Sequence, residues 1–294
     1  MADAQRGILL AAFAYLLLAC ADAAVKYVLP GVGVAGVMLW RGVVGCAVIL
    51  IFFGWRQVVP RNTRLILGRA AIHCVSAAIW YWCWARGIGL ADSYAVGALA
   101  PIFMTLIAVP LLGERIGWRR GLAVLVGFGG ALVMLQPGGA LWRWEAGLLV
   151  FAVVVMALSR ALTRLLARTD TPAAIAFWLM AAHVPLGLIL WPFFPPPEAL
   201  LPANGWMLLA LAGFAAANAM AHLIFARAFA LAPVGALAPL EYSFLPWGVV
   251  LGLLLFAEVP GATTLYGAAI VIGAGLYTLH RERVRAREKH APSS

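Results

Sequence analysis

A carboxylate and a guanidinium interrupt apolar runs of this sequence that are otherwise almost free of charge. Glu241 lies in PLEYSF beside Tyr242, and Arg41 follows Trp40 in another run. A charge buried in an apolar membrane span costs roughly 3 kcal/mol or more unless it is paired, hydrated or neutralised. We therefore expect Glu241, with Tyr242 beside it, to bind a substrate ammonium group, to carry a proton, or to pair with Arg41. Arg41 is a candidate to hold a substrate carboxylate, with helix packing as the alternative.

A second candidate site is an aromatic stripe in the segment AIHCVSAAIWYWCWARG. The spacing of His73, Ala77, Trp80, Tyr81 and Trp84 predicts that they share one helix face. Such a face suits a flat or cationic ligand, through stacking and cation–π attraction. For His73, Trp80 and Tyr81 we expect a cavity, with helix packing as the alternative for His73.

The tryptophans at the end of this segment favour another role. Trp82 and Trp84 lie next to Arg86, where tryptophan is typical of the aromatic belt at a membrane boundary. We expect these two to lie in such a belt.

Polar side chains also occur on one predicted face of a later apolar run, at Asn218 and His222. Polar groups inside an apolar span need polar partners, so they either line a cavity or tie helices together. Trp40 and Trp178, 138 residues apart, are candidates to form opposite aromatic walls, with core packing as the alternative; the function of His183 stays similarly open. Asp22 and Lys26 have the spacing of an ion pair along one helix, and we expect them to pair.

The composition excludes an ordinary soluble domain. The chain is 65% hydrophobic and 11% charged, with a mean hydropathy of +0.97, whereas soluble domains carry about 25% charged residues. The four cysteines lie in apolar runs and are expected to be packing residues. The sequence contains no HExxH, GxSxG or Walker motif, so we predict no enzyme activity, no metal, no cofactor and no ATPase subunit. The fold class is therefore predicted to be an all-α integral membrane protein.

Ten apolar segments are long enough to cross a bilayer as helices, each near 20 residues. They span 7–29, 33–54, 65–86, 92–112, 117–135, 146–167, 173–193, 205–227, 232–256 and 261–280. The first resembles a signal peptide, but the repeat described below needs it as its opening helix. Most of the 21 lysines and arginines, Arg160 among them, fall in segments on the side of the N-terminus, which predicts that both termini are cytoplasmic. The basic tail, 281–294, is expected to anchor to an anionic leaflet rather than to bind nucleic acid.

The hexapeptide VGALAP occurs twice, at Val96–Pro101 and Val234–Pro239, and further matches keep nearly the same offset. The chain is therefore predicted to be a duplication, with repeats at 1–137 and 138–280. Because each repeat has five spans, the second must be inverted, which is typical of alternating-access transporters. Each VGALAP proline leaves one carbonyl without an amide partner, so we expect a bend there.

The ten spans, the segments ending LLGE and LLLFAE, and glycine-rich fifth and tenth spans resemble the EamA branch of the drug/metabolite transporter superfamily. Within it, the sequence is similar to YddG-type bacterial exporters of aromatic amino acids. The resemblance implies structural roles at helix bends and ends for Pro101, Glu114, Pro239 and Glu258. It implies an inner-membrane transporter of small metabolites, and we expect export of aromatic or broadly neutral amino acids. The alternatives are an importer of a vitamin or cofactor on the same scaffold, and a membrane-embedded enzyme.

Overall fold

The protein is helical throughout the part of the chain that the computed structural model describes, which is residues 2–112, 118–135, 143–195, 202, 204–232 and 237–290. In chain order the helices are α1 (Ala2–Gln57), α2 (Thr63–Ala85), α3 (Leu90–Gly97), α4 (Ala100–Leu112), α5 (Trp118–Leu135), α6 (Trp144–Leu166), α7 (Pro172–Leu190) and α8 (Gly205–Leu231), then a 3₁₀ helix (Ala238–Ser243), α9 (Phe244–Phe256) and α10 (Ala262–His290).

Helix α1 contains the first two predicted spans, joined without a loop. Gly33 within it has φ 68° and ψ 172°, so two helical segments meet at this residue. A positive φ of this kind is readily adopted by glycine but strained for a residue with a Cβ. The short sequence LPGVG therefore joins the two segments through one glycine.

Five described helices are long and apolar enough to cross a membrane by length and composition: α1, α2, α6, α7 and α8. Shorter apolar helices lie at Leu90–Met104, Leu125–Leu135, Leu240–Phe256 and Ala262–Tyr277. Large apolar side chains are exposed around the bundle, among them Ile51 at 79% and Leu254 at 73%. An apolar surface of this extent is typical of a lipid-facing protein. The all-α membrane class is thus supported, while the count of ten passes and their inverted order stay predictions.

The helices pack in pairs through small residues. Helix α1 packs against α7 and α8, α2 against α6 and α7, and α5 against α10. A Cβ added to Gly267 of α10 would lie 2.6 Å from the Gly130 carbonyl oxygen of α5, so these two backbones touch. Close backbone approach at glycine is the usual way in which membrane helices gain packing energy.

The α-helix is interrupted at both copies of VGALAP. In the first copy α3 ends at Gly97 and α4 begins at Ala100, just before Pro101. In the second copy Pro239 lies in the 3₁₀ helix that precedes α9. A local departure from α-geometry is therefore observed in both copies, of which the second is described from Leu237 onward, and the bends themselves stay predictions. Gly97 additionally allows the Trp80 ring to approach the backbone.

Candidate functional site

An internal cavity of about 120 Å³ lies between helices from both halves of the chain. Its walls come from both segments of α1 and from α2, α3, α4, α6, α8, the 3₁₀ helix and α9. The candidates from the sequence that line it are Arg41, His73, Trp80, Tyr81, Asn218, His222 and Glu241. One internal space therefore collects most of the predicted polar and aromatic residues.

Aromatic rings form one side of the cavity. The Trp80 ring centroid lies 5.8 Å from that of Trp84 and 6.3 Å from that of Tyr94, and Tyr94 lies 4.9 Å from Phe244. The buried indole N–H of Trp80 has no acceptor among the residues that the structure describes. The wall thus offers flat faces together with one unused hydrogen-bond donor.

The belt predicted for Trp84 is wrong. Trp84 is 4% exposed, and its indole N–H donates to Ser93 Oγ at 2.9 Å. Its ring belongs to the cavity wall, because the helix face of α2 that carries it turns inward as far as its last turn. Trp82 is half-buried, with its ring under the Arg86 guanidinium at 5.7 Å.

Arg41 is the centre of a basic cluster. It is 3% exposed and donates to the Tyr81 hydroxyl at 2.6 Å, while its other terminal nitrogen lies 3.3 Å from His73 Nε2 and 3.0 Å from His222 Nε2. Because a guanidinium only donates, each imidazole presents an unprotonated nitrogen when it accepts from Arg41. Histidines from two helices therefore orient the guanidinium without neutralising it.

Glu241 has a different partner from the one considered for it. It forms an ion pair with Arg160 of α6, not with Arg41, and its side chain is 4% exposed. The pair links the 3₁₀ helix to α6, so neither charge is left uncompensated.

Asn218 lies one helical turn before His222 on α8 and faces the same cavity. It is 1% exposed, and neither its amide nitrogen nor its amide oxygen has a hydrogen-bond partner in the described ranges. A buried amide without partners is destabilising. It marks a place where a ligand or water would satisfy both atoms.

Four candidates lie outside the residues that line the cavity. Trp178 donates its indole N–H to the Val58 carbonyl at 2.9 Å, and Trp40 packs against the core formed by α1, α2, α3 and α8. Tyr242 is buried in the core near α10, and His183 lies 2.7 Å from the Leu179 carbonyl oxygen through Nδ1. The two tryptophans do not face each other across this cavity.

The expected pair of Asp22 with Lys26 is also wrong. Lys26 forms an ion pair with Glu258 and donates to the Ile88 carbonyl at 3.0 Å, whereas Asp22 accepts from the Tyr94 hydroxyl at 2.9 Å. Each partner comes from another helix or its adjoining turn, which a spacing rule within one helix does not consider.

Of the two acids expected at helix ends, Glu258 lies in the described part of the chain. Glu258 accepts from the Leu90 backbone N–H at 2.9 Å in addition to its pair with Lys26, so it ties the start of α3 to the turn after α9. Glu114 lies outside the described residues.

Among the cavity residues that sequence reasoning missed are three charged residues and a tyrosine: Asp22, Arg69, Arg160 and Tyr94. Arg69 precedes His73 by four residues, so the stripe on α2 already contained its position. Arg160 lies three and four residues from inward positions of α6, but it had been counted with a cytoplasmic segment. No group of three or more potential metal ligands occurs among the described side chains.

Comparison with known proteins relates the chain to membrane transporters. The family model for EamA-like transporters matches residues 5–136. A riboflavin transporter from Rhizobium johnstonii is 30% identical over 249 residues, covering 83% of this chain and 76% of that protein. An S-adenosylmethionine uptake transporter from Rickettsia prowazekii is 26% identical, covering 70% of each chain. The pseudopaline exporter CntI from Pseudomonas aeruginosa is 26% identical, covering 92% and 94%.

The fold also matches a solved crystal structure. It has a TM-score of 0.64 and 16% sequence identity, and the match covers 95% of this chain and 98% of that one. The extent of these matches and the helical architecture agree with the resemblance seen in the sequence. The chain therefore belongs to the EamA-like transporter family of the drug/metabolite transporter superfamily.

Proposed function

We propose that this protein is a secondary transporter that carries a small, flat heterocyclic metabolite of the riboflavin class through its internal cavity. The observation that carries the proposal is the combination of aromatic walls with buried polar groups that lack hydrogen-bond partners in the described part of the chain. Trp80 and Asn218 supply these groups on opposite halves of the chain. In this proposal the metabolite binds in the cavity and crosses the membrane chemically unchanged.

The chemistry of the two groups favours a ring with both donors and acceptors on its edge. An amide such as Asn218 offers one acceptor and two donors, and an indole such as Trp80 offers one donor. The imide edge of a flavin ring carries carbonyl oxygens and an N–H, which match an amide side chain. Stacking on aromatic faces stabilises the ring itself.

The relatives also favour this substrate class over the amino acids expected from the sequence. The relative with 30% identity is named a riboflavin transporter, and none of the three relatives described above is named for an aromatic amino acid. Their names include both an uptake transporter and an exporter, so direction must be measured.

The test is flux of riboflavin, S-adenosylmethionine and tryptophan in proteoliposomes, measured in both directions and with or without a pH gradient. We expect saturable riboflavin flux that other flat heterocycles inhibit. Saturable tryptophan flux without any riboflavin flux would instead support amino-acid export.

Export of amino acids keeps one specific observation in its favour. Arg41 and Asp22 both line the cavity, and they are not within ion-pair distance of each other. Opposite charges held apart in this way suit the carboxylate and ammonium groups of one zwitterion.

We further propose the inverted duplication with repeats at 1–137 and 138–280 and a cytoplasmic tail at 281–294. Under this duplication the first segment of α1 corresponds to α6, and α2 corresponds to α8. The packing of α1 on α8 is then equivalent to the packing of α6 on α2, and both contacts occur, which supports the duplication. Contacts between connecting segments support it as well. Lys26, Ile88, Leu90 and Glu258 meet at one end of the bundle, in segments assigned to the outer side.

Segments assigned to the inner side also meet one another. The Arg61 backbone N–H donates to Asp170 at 2.6 Å, and the Thr171 hydroxyl donates to the Gln57 carbonyl. Cysteines placed at Arg86 and Arg227, which occupy equivalent positions of the two repeats, test the inversion in a variant without the four native cysteines. A membrane-impermeant label should reach them from opposite sides. Labelling from the same side would reject it.

Transport by alternating access follows from this arrangement. The breaks at Gly97–Ala100 and at the 3₁₀ helix are the proposed hinges, with Pro101 and Pro239 beside them. The ion pair between Lys26 and Glu258 holds one end of the bundle together in this structure. We place the protein in a bacterial-type inner membrane with both termini in the cytoplasm.

A further inference from the structure

Two arginines in the cavity lack a carboxylate partner among the residues that the structure describes. Arg41 is 3% exposed and Arg69 is 4% exposed, and both line the same space. Within the described ranges, the Nε atoms of both have no hydrogen-bond partner. The polar contact of the Arg69 terminal nitrogens seen in those ranges is a long one, 3.5 Å, to the Ile175 carbonyl.

Two acids line the same cavity, and among the described residues only Glu241 is in an ion pair there. Glu241 is paired with Arg160, and Asp22 accepts from the Tyr94 hydroxyl. Neither lies within ion-pair distance of Arg41 or Arg69, and the groups that do contact Arg41 are a phenol and two imidazoles. The polar surroundings therefore orient the arginine charges but do not balance them.

A buried guanidinium without an anion is costly, because it has lost its hydration and gained no opposite charge. A ligand that brings an oxyanion would remove that cost and would meet guanidinium forks suited to bidentate contact. Asn218, 1% exposed and without partners in the described chain, adds an amide donor in the same cavity.

We infer that the transported metabolite carries an acidic oxyanion, a carboxylate or a phosphate, which Arg41 and Arg69 bind while its ring lies against the aromatic wall. This inference rests on the proposed function and makes the acidic members of its substrate class the preferred substrates. Arg160 is not part of the oxyanion site, because its charge is balanced by Glu241.

The test compares ring compounds that share a ring system and differ in the charged group attached to it. Equilibrium dialysis with the full-length protein in nanodiscs measures riboflavin against riboflavin 5′-phosphate, and indole-3-propionate against tryptamine. We expect each acid to bind at least about tenfold more tightly than its neutral or cationic counterpart. Inorganic phosphate and acetate, added as competitors, distinguish a phosphate site from a carboxylate site.

The variants Arg41→Gln and Arg69→Gln should each remove most of the preference for the acid. They should change binding of the neutral flavin by less than about threefold, because the ring contacts remain. Lys26→Gln is the matched control, since it removes a cation outside the cavity, and should keep the preference.

Failure of the oxyanion inference and failure of the proposed function give different results. If the acids and their counterparts bind equally to the unmodified protein, or if both arginine variants weaken neutral and acidic ligands alike, the oxyanion inference is wrong while the proposed function stands. If no ring compound binds whatever its charge, the proposed function fails and this inference fails with it.

Discussion

Two arginines of the same cavity have opposite electrostatic surroundings. Arg160 is paired with Glu241, so this region is complete without a ligand. Arg41, in contrast, contacts a hydroxyl and two imidazoles and has no acid beside it among the described residues. A charge that the fold has already balanced serves structure, whereas a charge held in position without a partner is available to a substrate.

The largest effect is expected from breaking the ion pair between Glu241 and Arg160. Glu241→Gln leaves Arg160 as an unpaired, mostly buried charge, which should cost about 3–5 kcal/mol of folding free energy and abolish transport. Thermal unfolding of the purified protein in detergent measures the loss. The double change Glu241→Gln with Arg160→Gln should recover most of it. Unfolding of the single variant at the temperature of the unmodified protein would show that the pair is not structural.

Replacing Arg41 should change the free energy of unfolding in the opposite direction. Arg41→Gln removes an uncompensated charge, so the free energy of unfolding should stay level or rise, while transport of the acidic substrate falls at least about tenfold. Parallel unfolding and flux measurements separate the two effects. A variant that loses stability as much as Glu241→Gln does would erase the distinction between the regions.

A smaller effect is expected at the end of the bundle where Lys26 meets Glu258. Glu258→Gln weakens that ion pair and the contact with the Leu90 N–H, and both groups are partly solvated. The expected cost is about 1 kcal/mol in unfolding. Lys26→Met offers the matched change from the other side of the pair. If the losses simply add in the double variant, the two residues do not interact.

The smallest effect is expected for Trp178 and Trp80, which are both substrate-binding candidates in the sequence analysis. Trp178→Phe removes one hydrogen bond, to Val58, and should cost about 0.5–1.5 kcal/mol of stability with transport unchanged. Trp80→Phe should leave stability nearly unchanged, since its N–H has no acceptor to lose among the described residues, yet weaken substrate binding. Ligand titration of both variants checks the contrast, and a loss of affinity confined to Trp178→Phe would reverse it.

The sequence predicted which faces of single helices turn toward the cavity. His73, Trp80 and Tyr81 share one face because helical spacing is local information, and the same holds for Asn218 and His222. These positions follow from a period of about 3.6 residues per turn and need no knowledge of neighbouring helices.

Pairings between helices could not be predicted from the same information. Asp22 and Lys26 satisfied the rule for a pair on one helix, but Tyr94 and Glu258 from elsewhere in the chain offered closer partners. Arg160 was counted by its loop rather than by its helix face, so the partner of Glu241 was missed. Trp178 matches Trp40 in the repeat, but duplication preserves position in the chain and does not fix which way a ring points.

The most direct test of the account uses Asn218, because its two polar atoms have no partner within the described chain. In proteoliposomes, Asn218→Leu should lower flux of the flavin-class substrate at least about tenfold. The unfolding temperature should stay the same or rise, since a buried unsatisfied amide is removed. Unchanged substrate flux in this variant would contradict the claim that groups without partners in the cavity are reserved for the substrate.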